Sequence, residues 1–182
     1  NTATQCGGAS YSYQGKTIIN NAIFYKNSAG ERGGALSGTA NDAHITISNC
    51  EIYENSAKYG GAISDKVETS TAIIELQGGK IYNNTATNNG GGILVGESNR
   101  IKIAGGLQVY GNTASGSSSD IHINKNSKIE ILDELISTSK TTHIGIRLAN
   151  DFVASTTFTQ GYKHRGNDID PNKVFFSNNT NL

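Results

Sequence analysis

Apolar and polar residues alternate along this chain in short runs, without a sustained helical stripe. Ala43-His44-Ile45-Thr46-Ile47, Ala72-Ile73-Ile74-Glu75-Leu76, Ile101-Lys102-Ile103 and Ile121-His122-Ile123 are rich in isoleucine and bounded by Gly, Asn and Ser. Period-two alternation with such boundaries predicts short strands. The best helical candidate, Ile129 to Ile136, is only eight residues and reads equally well as a strand.

The runs keep time with a recurring phrase, Asn-Ser/Thr-Ala. It starts at Asn1, Asn27, Asn55, Asn84 and Asn112, giving spacings of 26, 28, 29 and 28 residues. Gly7-Gly8-Ala9, Gly33-Gly34-Ala35-Leu36, Gly60-Gly61-Ala62-Ile63 and Gly90-Gly91-Gly92-Ile93 follow it in phase. Three residues before it stand Phe24, Ile52, Ile81 and Val109. A repeat of this length is the signature of a solenoid. About 28 residues holding two or three strands and their turns make one rung of a parallel β-helix, stacked on the next at roughly 4.8 Å. The predicted fold is therefore all-β, a parallel β-helix in one domain over 1–182. Regular repeats fill 1–125, and irregular rungs with a loop fill 126–182.

Each recurring residue then has a task. The glycine pair permits positive φ at a corner, and the small residue after it packs inside. Phe24, Ile52, Ile81 and Val109 form an inward row. Asn27, Asn55, Asn84 and Asn112 are expected to stack as a ladder whose amides bond the next rung and the turn backbone. After Asn112 the pattern decays. Ser118-Ser119-Asp120-Ile121 stands where glycines are expected, and the next clear match is Phe175-Phe176-Ser177-Asn178. Strand-like stretches between them run from Lys128 to Ile136, His143 to Leu148 and Phe152 to Thr159, with a loop around Tyr162 to Asn172.

Composition narrows the classes. Charged residues are 16% of the chain and Gly is 22 of 182 residues, a balance that suits tight turns rather than helices. Fifteen basic and 15 acidic residues cancel, so charge gives no argument for nucleic acid or an anionic membrane surface. No run of 18 apolar residues predicts a membrane-spanning helix. The chain starts at an asparagine and lacks Met, which reads as a processed or excised product. Cys50 aligns with Ala22, Gly79 and Leu107, whereas Cys6 aligns with Arg32 and Asn89. Cysteines in different slots cannot readily approach within the ~7 Å a disulfide needs, so both are expected as free thiols.

The Gly-Gly-Ala-Ile/Leu motif at Gly33 and Gly60, alternating with Phe24-Tyr25-Lys26-Asn27 and its Ile or Val variants ending at Asn55, Asn84 and Asn112, resembles a known repeat. It is that of chlamydial polymorphic outer membrane proteins and related β-helical surface proteins, and the likeness covers roughly residues 1 to 125. The resemblance implies a right-handed parallel β-helix, secreted or displayed on a surface, often an adhesin. Only one strict Phe-x-x-Asn occurs within the regular repeats. The tail, with His143-Ile144-Gly145-Ile146 and Gly161-Tyr162, resembles large repeat-bearing surface proteins of Gram-positive gut bacteria.

The most suggestive surface feature lies two residues before each anchor: Tyr25, Tyr53, Tyr82 and Tyr110, with Phe176 as a possible continuation. Alternation puts these rings outward, one per rung. They could bind a glycan or anchor a protein partner, or simply support one another by cross-strand pairing. Hydrolytic chemistry would need converging carboxylates. Asp168 and Asp170 share one side of a strand and could hold calcium, but read better as a solvated turn before Pro171. Arg100-Ile101-Lys102 resembles a short basic motif of polygalacturonases, without the acids or histidine that would accompany it. His44, His122, His143 and His164 are scattered singly, and no Cys/His spacing predicts zinc.

These readings converge on an extracellular, non-enzymatic surface β-helix that needs no metal or cofactor and acts as an adhesin or stalk. Its expected partners are surface proteins or glycans of host or neighbouring cells, with no nucleic acid and no membrane insertion. The alternatives are a filament subunit stacking end to end, since both termini fall near the same corner, and a polysaccharide-binding or polysaccharide-degrading β-helix.

Overall fold

Each rung turns at three places, and at each the backbone enters the left-handed region. The first corner uses the leading glycine of each pair: Gly7, Gly33, Gly60 and Gly90, with φ of 61, 59, 60 and 67°. The second uses Asn21, Asn49, Gly78 and Gly105. The third uses Lys26, Glu54, Asn83 and Gly111, each immediately before an anchor asparagine. Only the first two corners are written throughout in residues that favour this conformation; the third has them at Asn83 and Gly111 alone. Lys26 and Glu54 adopt it without such help.

The computed structural model describes residues 1–38, 43–65, 72–96, 100–124, 126–132, 143–149, 158–160 and 174–178. Among these there is no helix. The strands form a parallel β-helix whose turns lie about 28 residues apart. One narrow sheet follows the anchors, stacking Thr2–Ala3, Ser28–Ala29, Ser56–Tyr59, Thr85–Asn89 and Thr113–Ala114 in parallel. A second wall follows the glycine corners: Ser10–Ser12, Leu36–Gly38, Ile63–Asp65, Ile93–Val95 and Ile121–Ile123. The longest wall stacks Lys16–Asn20, His44–Ser48, Ile73–Tyr82 and Arg100–Tyr110. Ile23–Tyr25 and Glu51–Tyr53 continue it beyond the second corner.

Register places like residues over like, so the core is a set of columns. Ile45, Ile74, Ile101 and Ile129 form one, and Ile47, Leu76, Ile103 and Ile131 another. Leu36, Ile63, Ile93, Ile121 and Ile146 form a third, and Phe24, Ile52, Ile81, Val109 and Ile144 the row predicted before the anchors. Interior members are buried, each adding roughly 1.5–3 kcal/mol. Phe24, in the first rung, is only half-buried.

The tail departs from this path. His143–Leu148 begins on Gln108 and Val109 and ends on Ile121–Ile123. It therefore crosses between two walls without circling the anchor and glycine corners. Phe175–Ser177 repeats the crossing on Ile144–Ile146. Lys128–Ile131 extends the long wall, and Thr159–Gln160 lies on it. Of the predicted 129–136 stretch, 129–131 is strand, and 133–136 lies outside the described residues. So do 152–157 and 162–172, including Asp168 and Asp170.

Candidate functional site

The anchor asparagines form a directional ladder. Asn27 donates from both its backbone N and Nδ2 to Oδ1 of Asn55, at 2.9 Å each. Asn55 donates in the same way to Asn84, and Asn84 to Asn112. Nδ2 of Asn84 also reaches the carbonyls of Ile52 and Tyr82, and Nδ2 of Asn112 those of Ile81 and Tyr110. Burial of these amides is tolerable because every donor has an acceptor. Asn1 joins the column by donating to Asn27 Oδ1 at 3.2 Å.

The far end of the ladder is a carboxylate that the sequence pattern conceals. Asp120 occupies the inward small-residue slot of Ala35, Ala62 and Gly92, where it is 1% exposed. Its Oδ1 accepts from Asn112 N and Nδ2 at 2.8 Å, taking the place of the next asparagine. Asn178 Nδ2 donates to Asp120 Oδ2 at 3.2 Å, and the Asp120 backbone N donates to Asn178 Oδ1 at 2.9 Å. Burial raises the Asp120 carboxyl above its ordinary range, while the Asn112 and Asn178 hydrogen bonds and nearby His143 pull it back. A side chain on Gly145 would place its Cβ 2.0 Å from Asp120 Oδ2, so glycine is required where the tail crosses this end. Asn178 was legible as a returning anchor; Asp120 could have been found only as an acid standing in an alanine column.

The four tyrosines stand outward, one per rung, as predicted. Tyr25–Tyr53, Tyr53–Tyr82 and Tyr82–Tyr110 have ring centroids 5.6, 5.0 and 5.6 Å apart and planes within 18°. The rings thus stack on each other, and the column offers edges and hydroxyls rather than a track of open faces. Tyr82 has its phenol pKa raised, by desolvation first and then by Glu51 and the neighbouring rings. Lys26 and Glu54 form an ion pair of 3.7 Å beside the stripe. Phe176 does not continue the column: it registers with Gly145 and stacks on His143 at 4.2 Å.

Other candidates are dispersed. Cys6 and Cys50 lie in the separate slots expected and are not joined in a disulfide. Cys50 is buried, and its Sγ accepts from Ala22 N at 3.3 Å. On the outer side of the long wall His44 lies 3.4 Å from Glu75, and Lys102 lies 3.8 Å from Glu130. Ile101, between Arg100 and Lys102, points into the core. Among the described residues no group of three or more His, Cys, Asp or Glu could hold a metal ion. His164 lies outside the described residues.

One column escaped the alternation rule. On the wall after the glycine corner both sides are buried, so the register Ser37, Ser64, Leu94, His122 lies out of solvent. The continuous apolar run Ile93-Leu94-Val95 was the available signal, since strands covered on both faces lose alternation. Among the described residues His122 Nδ1 and Ser37 Oγ have no hydrogen-bond partner. Burial, reinforced by Arg147, lowers the His122 pKa to about 4.

The fold and its ladder define the class: a parallel β-helix with an internal asparagine column and an external tyrosine column. No protein-family model, curated protein or solved structure matches the chain.

Proposed function

We propose that this chain is the β-helical part of an extracellular, non-enzymatic surface protein, acting as an adhesin or as a stalk that presents other parts. The tyrosine column supports this reading. Four rungs hold four aromatic side chains outward in fixed register, on a scaffold whose corners are locked by buried amides. Tyrosine supplies contact area with only two rotatable side-chain bonds to order, which suits recognition. End-to-end stacking has less support. At the far end Ser117–Ser118 runs antiparallel against Thr113–Ala114, so the narrow sheet does not end on an open parallel strand there.

The experiment compares the protein with a Tyr53→Ala/Tyr82→Ala variant on cultured host cells, bacterial cells and glycan arrays. Binding by the parent, lost in a variant that keeps its β-sheet spectrum and melting behaviour, is the expected result. Unchanged binding would remove the stripe from the account. Cleavage of pectin, alginate or mucin glycans by the purified protein would overturn the non-enzymatic reading.

A further inference from the structure

The surface around the tyrosine column has an order of its own. On the same outward side, two residues before each ring, stand Ile23, Glu51, Lys80 and Gln108. Immediately after each ring, at the third corner, stand Lys26, Glu54, Asn83 and Gly111. A sugar lying flat needs an open aromatic face, and here the ring faces are taken up by one another. A row of ring edges at rung spacing instead fits another row with the same spacing, as like side chains do between paired sheets.

We propose that the stripe is a self-recognition surface, on which a second copy of this chain lies antiparallel. This rests on the reading of the stripe as a contact surface and names its partner. Most homodimers are twofold, with the same patch on both subunits. Two twofold arrangements bring the stripes face to face, and the charge order separates them. With the chains' rung axes parallel, the flanking rows exchange sides, and Glu51 meets the partner's Glu54 twice over. With the axes antiparallel and the twofold between the second and third rungs, each row meets itself in reverse. Glu51 then opposes the partner's Lys80 and Lys80 the partner's Glu51. Tyr53 opposes the partner's Tyr82, Glu54 the partner's Asn83, and Lys26 the partner's Gly111. No like charges meet.

Four rungs give a patch smaller than the roughly 800 Å² per partner of a standard interface, so association is weak and needs high protein concentration. Sedimentation velocity of the 182-residue protein over rising concentration tests it. A reversible monomer–dimer equilibrium is expected. Glu51→Lys alone or Lys80→Glu alone should weaken it at least about tenfold, because each sets like charges opposite one another. The double swap Glu51→Lys/Lys80→Glu should restore it. Lys58→Glu, on the narrow sheet, should leave it unchanged. A protein that stays monomeric at every concentration, or a dimer indifferent to the swaps, would overturn the proposal. If such a monomer still binds cells through Tyr53 and Tyr82, self-recognition falls and the contact-surface reading stands. If it binds nothing, both fall.

Discussion

At the residue scale, the buried polar side chains decide most. Oδ1 of Asn84 accepts the backbone and side-chain donors of Asn55, while its own Nδ2 donates to Asn112. Asn84→Ala removes that acceptor and leaves the Asn55 backbone N–H buried without it, at about 1–3 kcal/mol, while Asn55 Nδ2 keeps the carbonyls of Phe24 and Tyr53. We expect a loss of about 2 kcal/mol in denaturant unfolding. A change below about 1 kcal/mol would mean that water replaces the amide. His122 gives a pH effect with a definite sign. Its folded pKa, about 4, lies below the ordinary 6.5, so the unfolded chain takes up the proton first. Its contribution is fully present above 6.5 and is lost as pH falls from there through about 4, on the order of 2–3 kcal/mol. His122→Leu, which copies Leu94 in the neighbouring rung, should flatten this part of the stability–pH curve. Matching curves for parent and variant between those limits would contradict the burial argument.

At the element scale, the glycine pair divides its labour. The first member adopts positive φ; the second leaves room for the next rung. A Cβ on Gly61 would stand 2.2 Å from the Gly91 carbonyl oxygen and 2.6 Å from that of Thr85. These are backbone atoms that cannot swing aside. Gly61→Ala should therefore cost more than about 3 kcal/mol, or prevent folding, as thermal unfolding would show. A melting temperature within a few degrees of the parent would show that the rungs can part. The sequence announced the need for two glycines but not their different reasons. It announced the ladder from Asn27 to Asn112 because one residue type recurs at one period. It placed a corner at the anchors but not its left-handed backbone, because Lys26 and Glu54 have no intrinsic claim on that conformation, and it hid Asp120 because the ladder ends on a different residue type. The crossing of His143–Leu148 was invisible because a strand that skips two corners looks locally like any other strand.

At the scale of the whole molecule, the stack is a rod with unlike ends. In the first rung the inward Ile19 and Phe24 are only half-buried, whereas Ile47 and Ile52 beside them are buried. The other end has its ladder closed by Asp120 and Asn178. Between them runs a column whose side chains are aromatic, outward and in register over four rungs. We propose that this column is the surface through which the rod makes contact. Tyrosine nitration followed by mass spectrometry tests it most directly, using dilute protein free in solution and the same protein bound to cells. Tyr53 and Tyr82 are expected to be nitrated in the free protein and protected on binding, while exposed Tyr13 is nitrated equally in both. Equal nitration of Tyr53 and Tyr82 in the free and bound protein would contradict it.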